Sequence, residues 1–298
     1  VAIKTLKAEY TQNPQILARF LREGVAASRI RHPHVVDVSD VGNEGELAWL
    51  VMELLEGEDL GTLLDRERVL APERAADLLV PVLSAIVAVH EAGIIHRDLK
   101  PANIFLAKTR HGGVVPKVLD FGISKMTGVI EDGGSNPFSL TATEALLGTP
   151  YFMSPEQVLG ARNATRQSDH YALGVSLYRC MTGRLPFKTP ELYPTLRAIE
   201  SGLFRAPREL VPEIPERFDA MIRKAMHRDP AQRFASVHAL GAELLQHASP
   251  LVKAQWGHAF GEAQASLEVP PPAASHDRIS SVPLNPSPWR APTPAPLG

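Results

Sequence analysis

The stretch IIHRDLKPANIFL, residues 94–106, places an acid, Asp98, a lysine, Lys100, and an amide, Asn103, within six positions. Asp98 can accept or orient the proton of an attacking hydroxyl. Lys100 can offset negative charge as it moves, and Asn103 offers the hard, neutral oxygen that Mg2+ favours. A second carboxylate, Asp120 in VLDFGISK, follows an apolar run and precedes a glycine, where it can chelate a bridging cation. Positioning and charge stabilisation of this kind are what phosphoryl transfer asks of a protein. His96 invites a catalytic role, but its place just before the acid reads better as packing behind the loop.

Those residues need elements to hold them. The opening VAIKTL alternates, so Ala2, Lys4 and Leu6 share one strand face. Asn13-Pro14 starts a helix, and Ile16, Phe20, Ala27 and Ile30 fall on one side of it together with Glu23. A carboxylate on an apolar stripe needs a partner, and Lys4 is the expected one. VVDVSDV and LAWLVMEL read as strands joined by GNEGE. From about residue 60 the pattern turns helical: APERAADLLVPVLSAIVAVHEAG carries helical spacing, with Pro81 expected to kink its first turns. YALGVSLYRCMTG is apolar on nearly every side and predicts a helix buried all round. GTPYFMSPE, residues 148–156, suits a platform for an extended peptide. Its Glu156 needs a buried partner, and HRDPAQRF supplies Arg233. The order is strand-rich first and helix-rich later: an α+β chain of two lobes.

At 298 residues, 44% hydrophobic and 21% charged, the composition is that of a globular protein. A net charge of -2 gives no reason to expect nucleic acid or an anionic membrane as partner. Cys180 is the single cysteine, which fits a reducing, cytoplasmic setting, and no apolar run reaches spanning length. Residues 248–298 read as a tail or linker, with nine prolines from Pro270 onward; PSPWRAPTPAP only loosely resembles a docking peptide.

These motifs resemble the signature set of the eukaryotic-type protein kinases, specifically the bacterial (Hanks-type) serine/threonine kinases, in the family's order over residues 1–247. The resemblance implies a two-lobed kinase fold, with a small β-rich lobe over about residues 1–56 and a larger helical lobe over about 57–247. It implies ATP and Mg2+, or Mn2+ in its stead, and hydroxyl groups of protein substrates. Lys4 resembles the strand lysine that binds the α- and β-phosphates, and Glu23 the helix glutamate that pairs with it. Asp98 resembles the catalytic aspartate, and Asn103 and Asp120 the metal ligands. Met52 resembles the gatekeeper. Glu53 and Leu55 would offer backbone groups to adenine, Asp59 would reach the ribose, and Ala2 and Phe105 would sandwich the ring. Asp169 resembles the aspartate that steadies the catalytic loop, and Thr149 the threonine that contacts Asp98 and Lys100. Arg97 resembles the arginine that binds a phosphate on the activation loop, for which Thr141 and Thr143 are the favoured sites. A homodimer in which one chain phosphorylates the other is also implied.

The sequence departs from the family at its front, where no glycine-rich loop precedes VAIK. That predicts a chain cut from something longer, weak ATP binding and an exposed sheet edge. SPE replaces the commoner APE, and KTRHGGVVP reads as an inserted hairpin. Two rival readings remain, a partner-binding scaffold without catalysis and a small-molecule kinase of related fold. Lys4, Asp98, Asn103 and Asp120 together argue against the first, and Lys100 with GTPYFMSPE against the second.

Overall fold

The computed structural model describes residues 1–110, 112–120, 150–160 and 163–261. Alternation in the first strand comes through directly: along β1 (Ala2–Thr5), Ala2 and Lys4 are half-buried while Ile3 is 63% exposed. β1 pairs antiparallel with β3 (Leu47–Met52), and β3 with β2 (Val38–Glu44), in the order β1-β3-β2. The register sets Ala2 opposite Met52 and Lys4 opposite Leu50, with β1 at the sheet edge.

A short helix α1 (Ala8–Thr11) leads to α2 (Pro14–Ser28). Asn13 caps α2, its Oδ1 accepting from the N–H groups of Gln15 and Ile16, with Pro14 in the first turn. Phe20, Gly24 and Ala27 form its buried face, packed toward β2 and β3.

A second antiparallel sheet joins β4 (Gly57–Asp59), β5 (Ile104–Lys108) and β6 (Val114–Val118) in the order β4-β5-β6. Gly57 has φ 149°, and a Cβ there would stand 2.1 Å from the Leu106 carbonyl oxygen, so only glycine lets β4 lie against β5. The expected hairpin insert is the turn between β5 and β6.

The larger part is helical: α3 (Leu60–Glu67), α4 (Pro72–Glu91), α5 (Pro155–Leu159), α6 (Arg166–Thr182), α7 (Leu192–Ser201), α8 (Pro207–Leu210), α9 (Glu216–Ala225), α10 (Val237–Leu245) and α11 (Pro250–Phe260). α4 and α6 are the centre of the core. Leu79, Leu83 and Ile86 of α4 and Tyr171 and Val175 of α6 are fully buried, and α6 is enclosed on almost every side as its sequence predicts. α4 is a single helix that runs through the buried Pro81.

The expectation of a linker from residue 248 needs correction. Ser249 caps α11, its Oγ accepting from the Val252 N–H, and Pro250 opens it. Val252, Trp256 and Phe260, four residues apart, pack onto the core, with Phe260 3% exposed. Phe260 lies over Gly241 of α10, where any Cβ would meet the ring at 2.2 Å. Trp256 packs at a tilt against His34, in the segment between α2 and β2, with ring centroids 5.3 Å apart. Among the described residues no helix is long and apolar enough to cross a membrane.

Candidate active site

The HRDLKPAN segment follows α4 and is pinned by one buried carboxylate. Asp169, in the first turn of α6 and 1% exposed, accepts from the backbone N–H of His96 at 3.0 Å and of Arg97 at 2.9 Å. His90 Nε2, at the end of α4, donates to the same carboxylate at 2.7 Å. Arg97 holds a left-handed backbone, φ 66°, which costs a non-glycine residue on the order of 1 kcal/mol or more. Its conformation is fixed from both sides, because Gln157 Nε2 donates to the Arg97 carbonyl at 2.9 Å. Gln157 is in turn set by a capping box with Ser154. Neither His90 nor Gln157 stands out in the sequence as functional; the Ser-Pro-x-Gln spacing at a helix start was the available signal for the second.

His96 is fully buried, and burial holds its imidazole below the ordinary histidine range despite Asp169 nearby. Its Nε2 meets the Leu119 carbonyl at 2.9 Å and its Nδ1 accepts from the Asp98 N–H at 3.3 Å. It is a packing and bracing group, as its position suggests.

Asp98, 5% exposed, receives Lys100 Nζ at 2.9 Å and Asn103 Nδ2 at 3.2 Å on Oδ2. Asn103 Nδ2 also donates to the Asp98 carbonyl at 2.8 Å, so the amide's donors are spent on the loop and Oδ1 is the atom left for a cation. Asp120 is brought alongside by the β5–β6 pairing. Ile104 lies opposite Val118, and the Leu119 N–H donates to the Asn103 carbonyl at 2.9 Å. The inserted hairpin is thus what joins the two oxygen donors.

Asp120 also has a left-handed backbone, φ 46°, and its Oδ1 lies 2.7 Å from Lys4 Nζ. This differs from the expected partnership of Lys4 with Glu23. Glu23 lies instead beside Arg22, Gly93, Ile94 and Arg97 around a cavity of about 260 Å³. Burial raises its pKa, with Arg97 the strongest of the charges that oppose the rise, and among the described residues its Oε2 has no hydrogen-bond partner. The reason is geometric: Lys4 and Glu23 sit on separate elements, and the strained turn at Asp120 delivers a nearer carboxylate.

The remaining expected residues lie on the two sheets and on the segment between them. Met52 ends β3 opposite Ala2. The Glu53 N–H is taken by the Asp37 carbonyl at 3.0 Å, and its side chain by Lys117 Nζ at 2.7 Å. Asp59 caps α3, accepting from the Thr62 N–H at 3.0 Å and hydroxyl at 2.8 Å. Phe105 pairs with Asp59 across β4 and β5. Leu55 lies in the connection between β3 and β4. Thr141, Thr143 and Thr149 fall outside the described residues.

Behind the site stands the Glu156–Arg233 pair. Arg233, its side chain fully buried, reaches Glu156 through Nη1 at 2.8 Å and Nη2 at 2.9 Å, and donates to the carbonyls of His227 and Gln167 at 2.8 Å each. Burial pushes Glu156 up, but Arg233 and the Ser168 hydroxyl outweigh it and hold the carboxyl below its ordinary range. Arg233 also lies over the Tyr171 ring at 5.0 Å.

A small antiparallel lobe, a helical lobe and a polar cluster at their meeting place define a class. The family described as "Protein kinase domain" matches residues 1–247, and the chain belongs to it. Among curated relatives, the serine/threonine-protein kinase pkn3 of Myxococcus xanthus is 39% identical over 247 residues, 82% of this chain and 44% of that one. PrkC of Bacillus subtilis, also a serine/threonine-protein kinase, is 34% identical over 82% of this chain and 36% of its own length. The chain therefore spans less than half of these relatives. The solved kinase domain of Mycobacterium tuberculosis PknI is similar with a TM-score of 0.62 at 22% identity, covering 82% of this chain and 84% of that chain. The fold is a protein-kinase fold.

Proposed function

We propose that this chain transfers the γ-phosphoryl group of ATP to serine or threonine hydroxyls of proteins. The observation that carries the reading is the assembly of Lys4, Asp98, Lys100, Asn103 and Asp120 through the contacts of 2.7–3.2 Å described above. ATP would lie between Ala2 and Phe105, with the Glu53 carbonyl and Leu55 N–H toward adenine and Asp59 toward the ribose. Lys4 would hold the α- and β-phosphates.

The donors fit Mg2+: Asn103 Oδ1 and the Asp120 carboxylate are hard oxygens, and two protein ligands suit a cation that shares phosphates and keeps waters. Asn103 and Asp120 would hold that cation, which would supply positive charge against the phosphates. Asp98 orients the acceptor hydroxyl and takes its proton as the oxygen bonds to the γ-phosphorus and the bond from that phosphorus to ADP breaks, with ADP leaving. Lys100, already on Asp98, sits where it can steady the migrating phosphoryl group. The lysine two residues after Asp98 favours serine and threonine over tyrosine acceptors. Phosphate on Thr141 or Thr143, placed by a second copy of the chain, would engage Arg97 and order the activation segment. A cytoplasmic setting fits the ATP requirement.

One observation favours the scaffold reading, namely that Lys4 engages Asp120 and leaves Glu23 aside. The two readings separate by incubating the chain with γ-labelled ATP, Mg2+ and a generic protein substrate, beside Asp98→Asn. Label on serine or threonine that drops about a thousandfold or more in the variant supports the kinase. Nucleotide binding without any label would leave the scaffold.

A further inference from the structure

A cavity of about 740 Å³ opens beside Lys100, with Tyr151 and Phe152 of the peptide platform on its wall. Its charged lining is lopsided: Arg68, Lys100, Arg179, Arg184 and Lys188 against Asp59 and Asp65. Both acids are already engaged. Asp59 caps α3 through Thr62, and Asp65 Oδ1 is held by Arg179 Nη2 at 2.5 Å. Lys100 faces Asp98. Arg68, Arg184 and Lys188 are exposed, and among the described residues none of them enters an ion pair.

Exposed cations are usually just solvated, and single ones need no explanation. Here three come from two separate segments, Arg68 from the end of α3 and Arg184 and Lys188 from the loop after α6, and converge on one concavity. Arg68 does so from a left-handed backbone, φ 69°, a conformation that disfavours any residue but glycine. Like charges gathered in a concave site concentrate field and draw anions. The concavity is continuous with the lysine that touches the catalytic aspartate.

We propose that this cavity receives the residues flanking the acceptor hydroxyl, and that it selects substrates carrying acidic side chains there. The proposal rests on the phosphotransfer reading for its consequence in turnover, but its binding half is independent of catalysis. Arg184 and Lys188 are the specificity determinants. Both are exposed, and neither is among the residues assigned above to nucleotide, metal or the acceptor hydroxyl.

The test uses three fluorescent peptides around one threonine, with glutamate, glutamine or lysine at the flanking positions, and a fourth with phosphoserine in place of glutamate. Binding is read by anisotropy at low and high salt, for the native chain and for Arg184→Glu/Lys188→Glu, with a thermal melt to confirm that the variant folds. The milder Arg184→Gln serves if it does not. The glutamate peptide should bind at least tenfold more tightly than the glutamine peptide, the margin should shrink with salt, and the variant should erase it. A phosphoserine peptide that binds far better than glutamate would assign the site to previously phosphorylated substrates, within the same anionic class. Equal binding of the glutamate, glutamine and lysine peptides, or a margin untouched by the charge reversal, overturns the proposal. Acid-selective binding with no transfer of label upholds the site and sinks the kinase reading. Transfer without acid preference does the reverse.

Discussion

Asp169 and Glu23 are both carboxylates placed on the inner face of a helix, and they are treated in opposite ways. Asp169 has its oxygens filled by two backbone N–H groups and His90. Glu23 keeps an oxygen with no hydrogen bond among the described residues and has its pKa raised by burial. A satisfied carboxylate ties elements into one arrangement; an unsatisfied one stores a cost that another arrangement can relieve. The molecule is therefore fixed behind the HRDLKPAN segment and adjustable in front of it. The Lys4–Asp120 pair on the adjustable side, with side chains 27% and 37% exposed, matches that division when set against the enclosed Arg233–Glu156 pair.

Four changes test the division, in descending order of effect. Asp169→Ala should cost about 4–5 kcal/mol in denaturant unfolding and abolish transfer, because it strands two buried N–H groups and releases Arg97 from its strained turn. An unfolding midpoint close to the native one would remove Asp169 from its anchoring role.

Arg233→Met should cost about 3–4 kcal/mol by leaving Glu156 buried and charged, and adding Glu156→Gln should return part of the loss. No recovery in the double variant would mean the arginine acts through its carbonyl contacts alone.

Acid should weaken the fold well before the carboxylates titrate. Burial pushes His170 down from 6.5 to about 4. Between those values the unfolded chain binds a proton that the folded chain refuses, so stability falls as pH falls through that window, by up to about 3 kcal/mol from this group. His32, His34, His96 and His247 are lowered for the same reason and act in the same direction. Glu156, held low, adds a further loss below its ordinary range, while Glu23, held high, opposes the trend. Melting temperatures from pH 8 to pH 5 should decline steadily; a flat profile would contradict the buried neutral histidines.

Glu23→Gln should be the mildest, within about 1 kcal/mol of the native chain or slightly stabilising, since it removes a buried charge without breaking a bond. Its effect on transfer is the sharper reading. A loss of tenfold or more in kcat with stability intact would show that Glu23 leaves its pocket to meet Lys4 during turnover.

Much of the site is legible because it is contiguous. Asp98, Lys100 and Asn103 lie on one short loop, so spacing alone sets their meeting. Glu156 and Arg233 are distant in sequence, but a buried acid must find a cation, and few arginines sit in apolar surroundings. The choice Lys4 makes between two carboxylates is not legible, since it depends on where α2 lies and on the turn at Asp120. The basic cavity escapes a linear reading as well, because its charges come from separate segments. In α11 the signal was present, Ser249-Pro250 followed by apolar residues four apart, but the proline-rich composition downstream obscured it.

The seat of Phe260 on Gly241 has a practical consequence. Similarity to the family ends at residue 247, whereas the packed body continues through the aromatic that fills the notch left by a missing side chain. Homology and mechanics thus place the edge of this domain at different residues. A version trimmed to the homologous limit would lose Trp256 from His34 and bare the groove on α10, giving a sticky, poorly behaved protein.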